Sequence, residues 1–339
     1  MARNKTLFGV VLVSTGFPQE CSKRAVRKHM TKVLSDRRVA EGFGPSWSVK
    51  LSTSVLPGFL DAMTEGYSRI WTEAGEPATA DQQRLVQGMN GCFGAEELDV
   101  MVRGAYRVGS PSIEDAMGDL RQLGCERLVV LPLFPYASFT ATQAIDDAVN
   151  AAESKTKWKA EEVTVIQGYA QTPTFDRAIA ASIRHAGFDP ASNDKLLFSN
   201  QAIPMHDVWL DDPYPSQVEA SCKRVAAALG LGAGRAFLGY QGALSDDRPW
   251  IEPPTEKVLQ ALAARPGRLF VVCPSFALDC VDTLDLTARV LADTYARACA
   301  DQGGEGAPGQ LIYVPCLGKS RAHVRVLHDV LLPYLLKEA

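Results

Sequence analysis

The residues best equipped for chemistry gather between Lys195 and Pro215, KLLFSNQAIPMHDVWLDDPYP. Leu196, Leu197 and Phe198 form a short apolar run of the kind that makes a strand buried on both faces. The run is expected to stop at Ser199-Asn200-Gln201. In an open α/β sheet, ligands bind beyond the carboxyl ends of the strands, so a polar tip at that point marks a candidate site. The amide oxygen of Gln201 can accept a hydrogen bond from an N–H group or bind a metal weakly, but glutamine cannot accept a proton near neutral pH. Five residues on, His206 has two readings: a solvated loop histidine, or, with Asp211 and Asp212, part of an imidazole and carboxylate ligand set for a divalent ion if the loop folds inward. Asp212 also stands just before Pro213, the arrangement of a helix N-cap followed by proline at the first helical position. We favour that role for it.

These residues need a scaffold, and the length of 339 residues suits two domains of ordinary size. The chain is 46% hydrophobic and 22% charged, without a low-complexity tract. A net charge of −4 argues against nucleic acid as a partner, because phosphate binding needs a positive surface. No apolar run reaches the roughly eighteen residues of a membrane span, which leaves peripheral membrane contact open. Met1 to Lys5 leads straight into a strand, without the pattern of a signal peptide. Eight cysteines are scattered with no CxxC pair, so neither a zinc ribbon nor a cysteine-ligated cluster is expected. Free thiols in a reducing cytoplasm is the expected state.

Strand-like and helix-like segments alternate from end to end. Strands are expected at Leu7 to Val13, Val100 to Tyr106, Leu128 to Leu133 and Val163 to Gln167, and again at Leu196 to Ser199, Ala236 to Tyr240, Leu269 to Cys273 and Leu311 to Val314. Helices are expected at Glu20 to Asp36, Ser112 to Leu123, Pro215 to Leu229, Leu278 to Ala300 and from Arg321. Such alternation implies parallel βαβ units with helices on both faces. Two groups of four strands predict two doubly wound α/β domains, 1–172 and 173–320, with a helix at 321–339 packing back on the first. Between Trp47 and Met63 the apolar residues are interrupted by Pro57 and Gly58, and Tyr67 to Trp71 is expected to open a helix.

Set end to end, the motifs resemble the ferrochelatase family. Ser199 to Pro204 followed by Asp211-Asp212-Pro213-Tyr214-Pro215 fits, without a gap, its Ser-Ala-His-Gly-(Ile/Leu)-Pro and Gly-Asp-Pro-Tyr-Pro. Leu34 to Val39, Tyr67-x-x-Ile70-Trp71 with Gly75 and Pro77, Arg107 to Ile113, Leu131 to Pro135, Tyr240-Gln241 with Trp250, Pro253 and Thr255, Cys273 to Leu284, and Tyr313 to Leu317 each resemble a family segment in order. The resemblance covers nearly the whole chain. It implies the chelatase fold, two Rossmann-like domains facing a central cleft, and a metal-inserting lyase acting on a tetrapyrrole such as porphyrin or haem, with a divalent metal such as iron as substrate. The family's mobile apolar lip over the cleft would fall near 44–66, the alternative to a plain core there.

The resemblance also assigns residues. The family's catalytic histidine and glutamate fall on Gln201 and Asp282, and ligand contacts on Arg107, Tyr136, Ser138, Ser199, Asn200, Tyr214, Tyr240 and Gln241. Asp282 is thereby a candidate for contact with metal; His206, where the family has no histidine, is the other candidate, on its residue type alone. Some ferrochelatases carry a [2Fe–2S] cluster on closely spaced cysteines, and that pattern is absent. Departures cluster at the site: glutamine for the base, a carboxylate shortened by one methylene, and Leu286 and Val290 where an acidic ladder would continue. Asp285, displaced around the helix, reads as a solvated side chain. Glu76 stands where serine is usual, Pro135-Tyr136-Ala137-Ser138 replaces Pro-Gln-Tyr-Ser, Val108 replaces tyrosine, and Gly242-Ala243-Leu244-Ser245 replaces Ser-(Arg/Lys)-x-Gly. Scaffold motifs survive while the lining changes. That predicts a rebuilt active site handling a metal and a tetrapyrrole or other metal complex, not ordinary protoporphyrin IX ferrochelatase. The alternative is a non-catalytic haem or porphyrin binder for storage, transfer or sensing. Ligand, metal and oligomeric state stay open.

Overall fold

The computed structural model describes residues 6–40, 46–244, 248–302 and 309–336. Positions 44, 45 and 245 of the expected cleft rim, and the ends 1–5 and 337–339, lie outside them. Two four-stranded parallel sheets form the frame: β1 (Phe8–Ser14), β2 (Val100–Tyr106), β3 (Arg127–Pro132) and β4 (Val163–Val165), then β5 (Lys195–Gln201), β6 (Ala236–Gln241), β7 (Arg268–Val272) and β8 (Gln310–Val314). Their orders are β2-β1-β3-β4 and β6-β5-β7-β8, the same winding twice. The central strands are apolar almost throughout because helices cover both faces: Val10 to Val13 in β1 and Leu196 to Phe198 in β5 are buried.

In each sheet the first strand lies between the second and third. The connection that leaves β1 for β2 and the one that leaves β3 for β4 therefore run in opposite directions, as do those that leave β5 and β7, which opens a crevice at the strands' carboxyl ends. One continuous core runs through both halves, from Val10 and Leu85 to Phe198 and Phe270, and includes Val326, Leu327 and Leu331 of the helix Arg321–Leu335. That helix packs against the helices Pro77–Ala95 and Pro173–His185.

Four expectations change. The fifth strand does not stop at Ser199 but continues through Gln201, which pairs with Gln241 of β6. Polar side chains are tolerated there because they bond within the fold: Ser199 Oγ donates to Gln241 Oε1 at 2.6 Å and lies 2.8 Å from Thr255 Oγ1. Pro57 and Gly58 do not break the chain. A π-helical turn, Leu51–Val55, runs directly into the helix Leu56–Ile70, where proline falls in the first turn and its missing N–H costs little. Tyr67 to Trp71 accordingly closes a helix instead of opening one, with Trp71 extended as its C-cap. The expected single helix from Leu278 to Ala300 begins as a π-helical segment, Asp282–Leu291, and becomes α-helical only at Ala292–Asp301. Trp47, Leu51, Val55, Leu56 and Leu34 form a small core of their own beside the crevice, with the Trp47 indole N–H donating to Leu34 O at 2.7 Å.

Candidate active site

The two crevices face each other and enclose one cavity of about 360 Å³, within the size range of small-molecule sites. Most of its wall is made of residues at or just past strand ends. Ser14 ends β1 and Thr15 to Phe17 follow it, Arg107 follows β2 and residues between Leu133 and Ala141 follow β3; Gln201 ends β5 and Ala202 to Pro204 follow it, Gly242 and Leu244 follow β6, and residues between Ser275 and Asp282 follow β7. His29, Met30, Val33 and Leu34 of the helix Lys23–Leu34, with Met63 and Tyr67 of Leu56–Ile70, close the remaining side. The lining is mainly apolar and aromatic, with few groups that can carry charge.

Gln201 and Asp282 share this wall. The Gln201 backbone is held from both sides: its N–H donates to Ser275 Oγ at 2.8 Å, and its carbonyl accepts from the Tyr214 hydroxyl at 2.8 Å. Its side chain makes one long contact, Nε2 to Ala202 O at 3.4 Å. Room for the amide depends on Gly242, whose φ of 77° suits glycine and where a Cβ would sit 2.9 Å from Nε2. Asp282 opens the π-helical segment, a device often found at functional sites. Its side chain is partly exposed and lines the cavity. Burial raises its pKa, against a contact from the Cys280 thiol at 3.8 Å and its own backbone N–H. A carboxylate whose pKa is raised by burial is suited to exchange protons with a bound ligand.

The other sequence candidates divide. Arg107, Tyr136, Ser138 and Tyr214 line the cavity. Arg107 Nη1 is paired at 2.5 Å with Asp36, and Ser138 caps a second π-helical turn, Phe139–Gln143. Ser199, Asn200, Tyr240 and Gln241 do not line it. Their side chains go to the helix layers on either face of the sheet, and Gln241, although the last residue of β6, is turned to Ser199 and Thr287. Asn200 thus lies toward Cys222 (3.9 Å) and Ser199 toward Thr255. Gln241 positions the site from behind: its Oε1 accepts from Ser199 and from Thr287 at 2.8 Å, while Nε2 donates to the backbone carbonyl of Asp282 at 3.2 Å.

His206 is not in the wall either. It stands on the short helix Met205–Trp209, its imidazole half exposed and 3.2 Å from Asp207. No inward ligand set forms with Asp211 and Asp212. Asp212 is fully engaged: Oδ1 accepts from Tyr214 N and Oδ2 from Phe139 N, both at 2.8 Å. It therefore joins the start of the helix Tyr214–Ala228 to the loop after β3. Gln217 adds a second such tie by accepting from Ala137 N at 3.0 Å. Asp285 is not solvated. Burial alone would raise its pKa, but hydrogen bonds from Arg69 and Arg289 (2.7 Å each) outweigh it and hold the carboxyl at about 2. Gly66 permits this contact between the helix Leu56–Ile70 and the π-helical segment, since a Cβ there would lie 2.9 Å from Asp285 Oδ2.

Two residues carry more than their sequence context suggested. His29 lines the cavity as a neutral imidazole: burial first, then Arg107 and Lys32, lower its pKa to about 4. Its position on the apolar side of its helix, with Val26, Met30 and Val33, was the available signal. Glu76 is buried just behind the wall. Burial lifts its carboxyl to about 7 despite hydrogen bonds from the helix it caps, Thr79 N donating to Oε2 at 3.0 Å. Its Oε1 has no hydrogen-bond partner, and it lies near Tyr67, Tyr106 and Cys280.

Residues 8–334 match the ferrochelatase family profile. The chain belongs to the ferrochelatase family. A ferrochelatase of Xanthomonas axonopodis pv. citri is 35% identical over 319 residues, covering 94% of this chain and 95% of that one, and a ferrochelatase of Xylella fastidiosa (strain M12) is 33% identical with the same coverage. Among solved structures, SirB from Bacillus subtilis with Fe3+ superposes with a TM-score of 0.59 at 10% identity, covering 98% of this chain and 96% of that one. The sirohydrochlorin chelatase SirB from Bacillus subtilis subspecies spizizenii, in complex with cobalt, gives 0.54 at 10% identity over 96% and 93%. At that identity the structural likeness establishes the chelatase fold. Among the described residues no helix is long and apolar enough to cross a membrane.

Proposed function

We propose that this ferrochelatase-family protein is a metal chelatase that binds a tetrapyrrole in the cavity and exchanges its ring protons for a divalent metal, through a site rebuilt around Gln201 and Asp282. One observation carries the reading: the two strand-end crevices bring a partly buried carboxylate of raised pKa and an uncharged amide into one apolar wall. Metal insertion removes two pyrrole protons. Asp282, as carboxylate, accepts the two ring protons one at a time, releasing the first to water before it takes the second. The Gln201 amide oxygen accepts a hydrogen bond from a pyrrole N–H, or meets the metal, without becoming charged. Arg107, tied to Asp36, lends positive charge to the wall for acidic substituents of the ring.

Glutamine at the family's histidine position supports a substrate other than protoporphyrin IX with Fe²⁺. Loss of a general base typically removes about 10²–10⁴ in rate, and His29, at about 4, is too acidic to replace it. The same glutamine favours the second reading, a haem or porphyrin binder without turnover. A panel of tetrapyrroles and divalent metals followed by absorbance separates the two. A shifted Soret band with a protein-dependent change in the Q bands is the outcome for a chelatase. A shifted Soret band with unchanged Q bands across the panel supports the binder, and no shift at all removes both.

A further inference from the structure

We propose that Cys92, Glu96 and His328 form a second metal site, for a borderline divalent ion of the Zn²⁺ class, that clamps the helix Arg321–Leu335 to the helix Pro77–Ala95. The three side chains bring one sulfur, one oxygen and one imidazole nitrogen within 4.8 Å of one another, the one such group among the described residues. Cys92 and Glu96 are one turn apart at the end of their helix, and His328 reaches them from the helix packed alongside.

The donor set selects the ion. A thiolate with an imidazole suits Zn²⁺ or Co²⁺ and disfavours Mg²⁺ and Ca²⁺, which take oxygen ligands. Tetrahedral zinc holds its ligand atoms about 3.4–3.7 Å apart, from bonds of about 2.0–2.3 Å. His328 Nε2 and Glu96 Oε2 now share a contact of 2.9 Å, so ion entry widens that pair slightly and draws the sulfur in. The fourth position faces water, since Glu96 is 43% exposed, while the histidine is only 13% exposed.

The imidazole is already oriented for ligation. Its Nδ1 lies 3.7 Å from Asp329 Oδ1, and the other Asp329 oxygen accepts from Thr174 Oγ1 at 2.5 Å. At 3.7 Å Asp329 stands beside Nδ1 without a hydrogen bond to it, while Nε2, now bonded to Glu96 Oε2, gives up that contact and its proton when it takes a metal. Phe93, stacked obliquely on the ring at 5.6 Å, restricts its rotation. The site is remote from the cavity. Glu76 and Glu96 cap opposite ends of a 19-residue helix, which at 1.5 Å per residue is about 28 Å long.

Cobalt titration of the metal-stripped full chain, followed by absorbance, tests the proposal. One equivalent of Co²⁺ should give a thiolate-to-cobalt charge-transfer band in the near ultraviolet and the visible bands of tetrahedral cobalt, both removed by competing Zn²⁺. Cys92→Ala and His328→Gln should lose the band while melting, without metal, close to the parent. Cys280→Ala, which alters the one thiol of the cavity wall, should leave the band intact. In the parent, Zn²⁺ should raise the melting temperature, and in Cys92→Ala it should not. Absence of the band, or its survival in Cys92→Ala, overturns the proposal. Its loss in Cys280→Ala would move the thiolate to the cavity and overturn it equally. None of these outcomes depends on whether the cavity metallates a tetrapyrrole.

Discussion

Glu76→Gln is expected to reverse a pH-dependent penalty written into the base of the cavity. In the folded chain the buried carboxyl keeps its proton up to pH about 7, whereas its ordinary value is 4.5. Between those values the folded state binds more protons than the unfolded one, so stability falls as pH rises through the window and the loss is complete above it. Each unit of pKa is worth about 1.4 kcal/mol, so the rise amounts to about 3 kcal/mol in all. Glutamine removes the titration, and its amide oxygen can still cap the helix at Thr79. His29 and His323, both held near 4 by burial, act in the opposite sense: the folded chain loses stability as pH falls below about 6.5. The parent curve alone therefore blurs the effect, and the difference between variant and parent isolates it. Urea denaturation from pH 4.5 to 8 should show that difference growing by about 3 kcal/mol in favour of Glu76→Gln, then levelling. A difference that stays flat with pH would refute a buried, proton-holding Glu76.

Gln201→Ala should abolish turnover on the protein's own substrate while Soret titration gives nearly the parent affinity, the mark of a group acting in the transition state; unchanged turnover would exclude Gln201 from the chemistry. Asp212→Ala removes the acceptor shared by Tyr214 N and Phe139 N, and should cost about 1–2 kcal/mol in urea denaturation, with Asp212→Asn recovering part of it. Asp285→Asn leaves Arg69 and Arg289 facing a neutral amide and should lower the melting temperature at pH 7. Because the native carboxyl titrates near 2, below its ordinary 3.8, its contribution is present above pH 3.8 and fades as pH falls through 2. The gap between variant and parent should shrink over that acid range.

The sheet strands were legible because a parallel strand covered on both faces is a run of apolar residues with no competing period, and Val10 to Val13 or Leu269 to Val272 can be little else. The placement of Gln201 and Asp282 in one wall followed from strand ends and from the family frame. What was not legible depends on events two layers away. Nothing in Ser199 or Asn200 shows that the ladder continues past them, because Gln241 and Thr255, which satisfy Ser199, arrive from distant segments. Pro57 looks like a break unless a π-helical turn precedes it. Asp285 reads as a surface residue until Arg69, more than two hundred positions earlier, is brought beside it. Glu76 stood out as a departure from serine, but its burial needs Tyr67, Tyr106 and Cys280 from three different segments.

The central claim is that Asp282 takes the ring protons inside this cavity, and it is tested by initial rates of Q-band change in the parent and in Asp282→Asn. The pair compared is the tetrapyrrole and metal that the panel selects, with protoporphyrin IX and Fe²⁺ alongside. The account predicts a rate lower by about 10²–10⁴ in Asp282→Asn at an unchanged Soret titration, and slow protoporphyrin insertion even in the parent. A variant that metallates as fast as the parent would contradict it.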